Sequence, residues 1–241
     1  MKIRNNYIVA GIGELLWDVF PEGKRLGGAP VNFSYHCRQQ DATGYPVSAV
    51  GSDALGAEIR EELVGKCLPD EFVALDATYP TGTVQVTLDD KGAPEYEICE
   101  GVAWDYIPKN SELDTLAQKT DAVSFGSLAQ RHKLSRATIH AFLGAMCPET
   151  LKIFDVNLRQ TSLLNNNQEN TAFQELTVIL MVCGSKDPAV PYEENDAIME
   201  QRYKALGGSI EVIVENKGHS HGMKDPTPVI EFIKKNTNIG E

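Results

Sequence analysis

The chain has 241 residues, 42% hydrophobic and 23% charged, a balance that permits a buried core and excludes gross disorder. With 34 acidic residues against 22 basic ones the net charge is −12, which excludes a broad electrostatic grip on nucleic acid or an anionic membrane. Five scattered cysteines without a Cys-x-x-Cys pair argue against a disulfide framework or a metal site and fit a reducing cytosol.

Tyr7 to Leu16 is short and apolar, as expected of a central strand. The first twenty residues superficially resemble a signal peptide. Glu14 and Asp18 interrupt that apolar run and no small-residue cleavage site follows, so a cytoplasmic chain is expected. No stretch approaches the roughly 18 uninterrupted apolar residues of a membrane span. Gly11-Ile12-Gly13 lacks the third glycine of a dinucleotide fingerprint and reads as strand-packing glycine; no GxxxxGK[ST] phosphate loop occurs. Gly27-Gly28-Ala29-Pro30 looks like a helix entry with Pro30 in the first turn, the helix running through Val31 to about Gln40. Val47–Val50 reads as a strand and Asp53–Cys67 as an amphipathic helix.

From Thr83 to Leu88 apolar and polar residues alternate, Asp89-Asp90-Lys91-Gly92 supplies turn chemistry, and Glu95–Cys99 returns as a second strand. Helices at about Ser111–Lys119 and Ser135–Met146 then alternate with strands at Ala122–Phe125 and Lys152–Val156. That order predicts an α/β fold, a layered, mostly parallel sheet with helices on both faces. Residues 161–175 are polar and Asn-rich and read as a linker or fusion seam. Beyond them come a strand at Leu176–Cys183, a Gly-Ser-Lys-Asp-Pro loop, a helix over Glu193–Leu206, a strand at Ile210–Glu215, a Gly/His loop and a last helix over Pro228–Lys235.

Gly13-Glu14-Leu15-Leu16-Trp17-Asp18, Arg25 through Phe33 with its Gly27-Gly28 pair, Ala49 through Gly56, and Phe154-Asp155-Val156-Asn157-Leu158-Arg159 together resemble the PfkB, or ribokinase-like, sugar kinases, and bacterial fructokinases in particular. The resemblance covers residues 1–160 and implies a ribokinase-like fold whose β-hairpin lid is formed by residues 81–99. It implies a carbohydrate kinase that uses ATP and Mg²⁺ to phosphorylate a sugar hydroxyl, with a homodimer through the lid hairpin. The residue types agree. A carboxylate such as Asp18 accepts hydrogen bonds from vicinal hydroxyls, Gly27 and Gly28 lack a Cβ that would block a ligand, and Asn32 offers both a donor and an acceptor. By resemblance Asp18, Gly27, Gly28 and Asn32 hold the sugar, while Asn157 and Arg159 lie nearer the nucleotide phosphates.

Members of that family carry a Gly-Ala-Gly-Asp motif whose amides form an anion hole and whose Asp is the base; residues 160–241 contain none. Residues 176–236 resemble instead the C-terminal end of an α/β-hydrolase, a βαβα segment in which Asp187 takes the place of the triad acid and His219 that of the base. Gly218-His219-Ser220-His221-Gly222 matches G-x-S-x-G, but no histidine follows it in the chain, so it does not fit a nucleophile elbow. Three readings stand side by side: a fructokinase-like PfkB kinase that is inactive if the base is missing, a non-catalytic sugar-binding remnant of a gene fusion, and an esterase-like hydrolase using Asp187 and His219. The domain expectation is a kinase-like part at 1–160, a seam at 161–175 and a hydrolase-like part at 176–241.

Overall fold

The computed structural model describes residues 7–88, 94–148, 150–155, 178–186 and 209–216, together with Ala197, Glu200, Gln201 and Lys204. Residues 1–147 and 148–241 form two compact units.

The first unit begins with β1 (Ile8–Ile12), β2 (Leu16–Phe20), β3 (Gly23–Gly27), α1 (Ala29–Arg38), β4 (Thr43–Gly51) and α2 (Ala54–Gly65). It continues through β5 (Val73–Asp76), the hairpin strands β6 (Gly82–Leu88) and β7 (Pro94–Ile98), α3 (Ser111–Lys119), β8 (Ala122–Gly126) and α4 (Lys133–Ala145). Short 3-10 turns at Ala103–Tyr106 and Leu128–Arg131 precede α3 and α4. Two sheets result. The central one runs β5-β4-β1-β8 within this unit, every neighbouring pair parallel. The smaller one runs β3-β2-β6-β7, with β2 and β6 parallel and the outer pairs antiparallel.

One strand was expected over Tyr7–Leu16 and two exist. Gly13 takes a φ of 152° and donates its N–H to Val47 O at 3.0 Å, which ends β1 and turns Glu14 and Leu15 out of line. The strand β4 is longer than Val47–Val50 and includes Pro46. Its pairing with β5 starts only at Ser48, so proline stands where that side of the strand has no ladder to interrupt.

Helix α1 lies directly on β1, since a Cβ on Gly11 would overlap Pro30 O; Gly11 is thus the packing glycine its position predicted. Successive residues of β4 show both faces of the sheet in use. Val50 joins Leu15, Trp17, Val31, Ile59, Leu63, Leu68 and Val73 in one core cluster, fed by α1 and α2. Ala49 packs with Ala103 and Ile107 on the other side, where Ser135 of α4 accepts the Ile107 N–H at 2.8 Å. Ile59 and Leu63, four apart on α2, are fully buried, each stabilising the fold by about 1.5–3 kcal/mol.

The second unit contains β9 (Leu151–Asp155), β10 (Val178–Gly184) and β11 (Ser209–Glu215). The last two pair in parallel from Val178↔Ser209 to Gly184↔Glu215, and a parallel pair requires a crossover between its strands. The four described residues of that crossover are helical, and Lys204 Nζ pairs with Glu200 at 2.5 Å, one helical turn apart. Asn157, Arg159, the 161–175 seam, Asp187, His219, Ser220, His221 and the helix expected over Pro228–Lys235 lie outside the described residues, as does the Asp89–Gly92 turn.

Candidate functional site

Asp18, Gly27, Gly28 and Asn32 fall where the smaller sheet hands the chain to α1. Asp18 is half-buried on β2 and stands opposite Arg25 in the β2–β3 register. The Arg25 guanidinium lies 5.0 Å from the ring centre of Phe20. Gly27, the last residue of β3, lies so close to the Asp18 carboxylate that a Cβ would collide with Oδ2. Gly28 caps α1 with φ 119° and ψ 118°, a conformation that favours glycine, and a Cβ there would strike Glu14 O. Asn32 is exposed on the first turn of α1, its N–H donating to Gly28 O at 3.0 Å. Asp18, Gly27 and Gly28 thus adjoin one another, with Asn32 one helical turn beyond. The space the two glycines leave is used by the protein's own Asp18 carboxylate and Glu14 carbonyl.

In the sequence Glu14 stands out as an interruption of an apolar run and falls in the Gly13–Asp18 motif, without a role of its own. In the structure it is buried, and its Oε1 accepts the Ala29 N–H at 3.2 Å. Gly28 has no side chain with which to cap α1, so a carboxylate from the β1–β2 link takes over, at the helix end where negative charge is favoured.

The hairpin beside this site is held at both roots. At its entry, Asp53 caps α2 by accepting the Gly56 N–H at 2.8 Å and also accepts Thr81 N–H at 2.8 Å and Thr81 Oγ1–H at 2.6 Å. Partial burial pushes the Asp53 carboxyl up, but hydrogen bonds from the Thr81 side chain and the Thr81, Gly56 and Leu55 amides outweigh it and leave the group below its ordinary value. At its exit, Arg131 donates to Cys99 O at 2.6 Å and forms a two-pronged pair with Asp105. Asp53 lies in the Ala49–Gly56 stretch of the resemblance, which assigns it no role at the hairpin root, and Arg131 lies in no motif of the sequence.

A groove of about 440 Å³ lined by Ile8, Tyr45, Glu71, Phe72, Glu112, Thr115, Leu116 and Lys119 lies at the opposite ends of the strands, since Ile8 starts β1 and Phe72 precedes β5. It contains none of the candidate residues. Ligands of open α/β sheets bind off the carboxyl ends of strands, the end at which the Gly28 junction lies and the groove does not.

The uncharacterized sugar kinase PH1459 of Pyrococcus horikoshii is similar to this chain. It is 28% identical over 204 residues, covering 79% of this chain and 65% of its own length. The solved structure of that protein superposes with a TM-score of 0.66 at 22% identity, over 87% of this chain and 71% of that one. A fructokinase of Xylella fastidiosa matches with a TM-score of 0.62 at 14% identity over 88% and 70% of the two chains. A PfkB protein of a Polaromonas species matches at 0.64 and 17% over 87% and 76%. The likeness is to PfkB-type sugar kinases. No protein-family model matches the chain.

The parallel central sheet with helices on both faces is thus the ribokinase-like α/β fold of PfkB-type kinases. The hydrolase likeness of residues 176–236 is not borne out. The first 160 residues make up two thirds of the chain, so an alignment that takes in 79% of it runs past residue 160 into the part read as hydrolase-like. The chain spans 65% of the length of its curated relative. Among the described residues no helix is long and apolar enough to cross a membrane.

Proposed function

We propose that the chain binds a sugar at the Gly28 junction and works as part of a PfkB-type kinase, with fructose or a related ketose as the acceptor. The observation that carries this is the half-buried Asp18 carboxylate lying over Gly27 beside the α1 N-terminus, a hydrogen-bond acceptor next to a backbone free of side-chain bulk. Asp18 accepts hydrogen bonds from two sugar hydroxyls and Asn32 holds a third, which orients the ring. The Xylella fructokinase among the neighbours in fold supports the ketose. The Pyrococcus kinase has been solved in complex with ATP, which supports ATP as the donor. Bound ATP with Mg²⁺ supplies the phosphoryl group and neutralises its charge; in this reading Asn157 and Arg159 face the phosphates. A cytoplasmic location and a homodimer through the hairpin belong to the same proposal.

A second reading is sugar binding without turnover, favoured by one observation: no Gly-Ala-Gly-Asp occurs in residues 160–241. The two readings part in one assay. Purified protein with ATP, Mg²⁺ and a panel of hexoses and pentoses yields ADP above the sugar-free blank if it is a kinase, with fructose the fastest. A flat trace for every sugar, from protein that still binds one of them, replaces the kinase with the binding protein.

A further inference from the structure

Four links carry the chain between the smaller sheet and the central layer of the first unit: Gly13–Leu15, the Gly27-Gly28 junction, the approach to β6 at Thr81, and the exit from β7 at 99–102. Carboxylates hold all four. Glu14 joins the first two through the Ala29 amide, Asp53 grips Thr81, and Asp105 Oδ2 accepts the Gly101 and Val102 N–H groups at 3.0 and 3.2 Å. At the fourth link the carboxylate is paired with a cation. Arg131 comes from the 3-10 turn after β8, on the central layer, and its Nε and Nη2 reach Asp105 Oδ1 and Oδ2 at 2.7 and 2.9 Å. The same Nη2 bonds Cys99 O, one residue past β7. The two side chains are only 8% and 3% exposed, and the guanidinium lies 4.1 Å from the ring centre of Trp104, whose indole nitrogen faces Gly82 at the start of β6.

We propose that Arg131 is a positioning residue for the sugar site: by bridging Asp105 and the Cys99 carbonyl it fixes the smaller sheet to the central layer, and with it the placement of Asp18 against the α1 N-terminus. The link to Asp18 is direct in the ladder, because β2 pairs with β6 in a register that sets Asp18 beside Val84. The clasp rests on the geometry alone; its consequence for sugar rests on the reading of Asp18 given above. A planar fork satisfies a carboxylate and a carbonyl at once, and a lysine ammonium keeps the charge without that geometry.

Hydrogen exchange and calorimetry on Arg131→Lys test the two parts separately. The clasp predicts that amides of β6 and β7 exchange roughly tenfold faster while those of β1, β4 and β8 keep their rates, and that the fructose dissociation constant rises by about the same factor. Asp105→Asn, which keeps the shape of the acceptor without its charge, gives the same local pattern. Unchanged exchange in the hairpin, or an equal acceleration in both sheets of either variant, overturns the clasp. Faster hairpin exchange with unchanged fructose affinity overturns the positioning role. If the parent protein binds no sugar, the sugar reading falls and the exchange data still decide the clasp.

Discussion

The glycine pair at 27 and 28 shows how much a residue's role depends on what occupies the space it leaves. Gly27 makes room for the Asp18 carboxylate and Gly28 for the Glu14 carbonyl, so both are demanded by the protein before any ligand arrives. Gly28→Ala therefore loses stability twice over, from a positive φ and from a collision with backbone. A fall of at least about 1–3 kcal/mol is expected for the strained conformation, read as a shift of the urea midpoint. Of these residues, Asp18, the glycines and Asn32 were legible in the sequence because they sit in an ordered motif. Glu14 lies in the same motif, but its capping role was not legible, because its partner is the Ala29 amide fifteen residues away and only the fold brings the two together.

Among the elements, those with a strong period or a clear cap were readable: α3 follows its Asn110 cap at the expected residues, β6 starts one residue earlier than expected, and β7 is shifted by one residue at both ends. The elements that escaped were weak in pattern. Strand β3 reads Gly-Lys-Arg-Leu-Gly and is mostly exposed, and β5 has four residues, too few to show alternation. The Asp53–Thr81 contact ties the start of α2 to the approach to β6 and carries a pH signature. Because Asp53 is held below its ordinary value of 3.8, its contribution is complete above that value and is lost as pH falls through the lower folded one. Asp53→Asn is thus less stable than the parent protein at neutral pH, and the gap closes as both are titrated below about pH 4. Denaturation midpoints from pH 7 to pH 3 check this; a gap of constant size would mean the carboxylate charge has no part in the cap.

For the whole molecule, the parallel α/β architecture was legible because strand and helix signals alternate through the first 160 residues. The hydrolase-like reading of residues 176–236, drawn from a local likeness, is not borne out. A strand, a Ser-Lys-Asp loop and a His-containing loop recur in unrelated parallel sheets, since such loops sit at strand ends wherever strands and helices alternate. The alignment with a sugar kinase covers 79% of the chain, far more residues than the few in those loops. The function proposed for the molecule requires that Asp18 receive a sugar at the junction of β3 and α1. Isothermal titration of fructose into the parent protein and Asp18→Ala tests this most directly. The expected result is saturable binding by the parent protein that weakens at least tenfold in the variant, about 1.4 kcal/mol, while the two unfold at similar urea concentrations. Equal affinity in both proteins would contradict it.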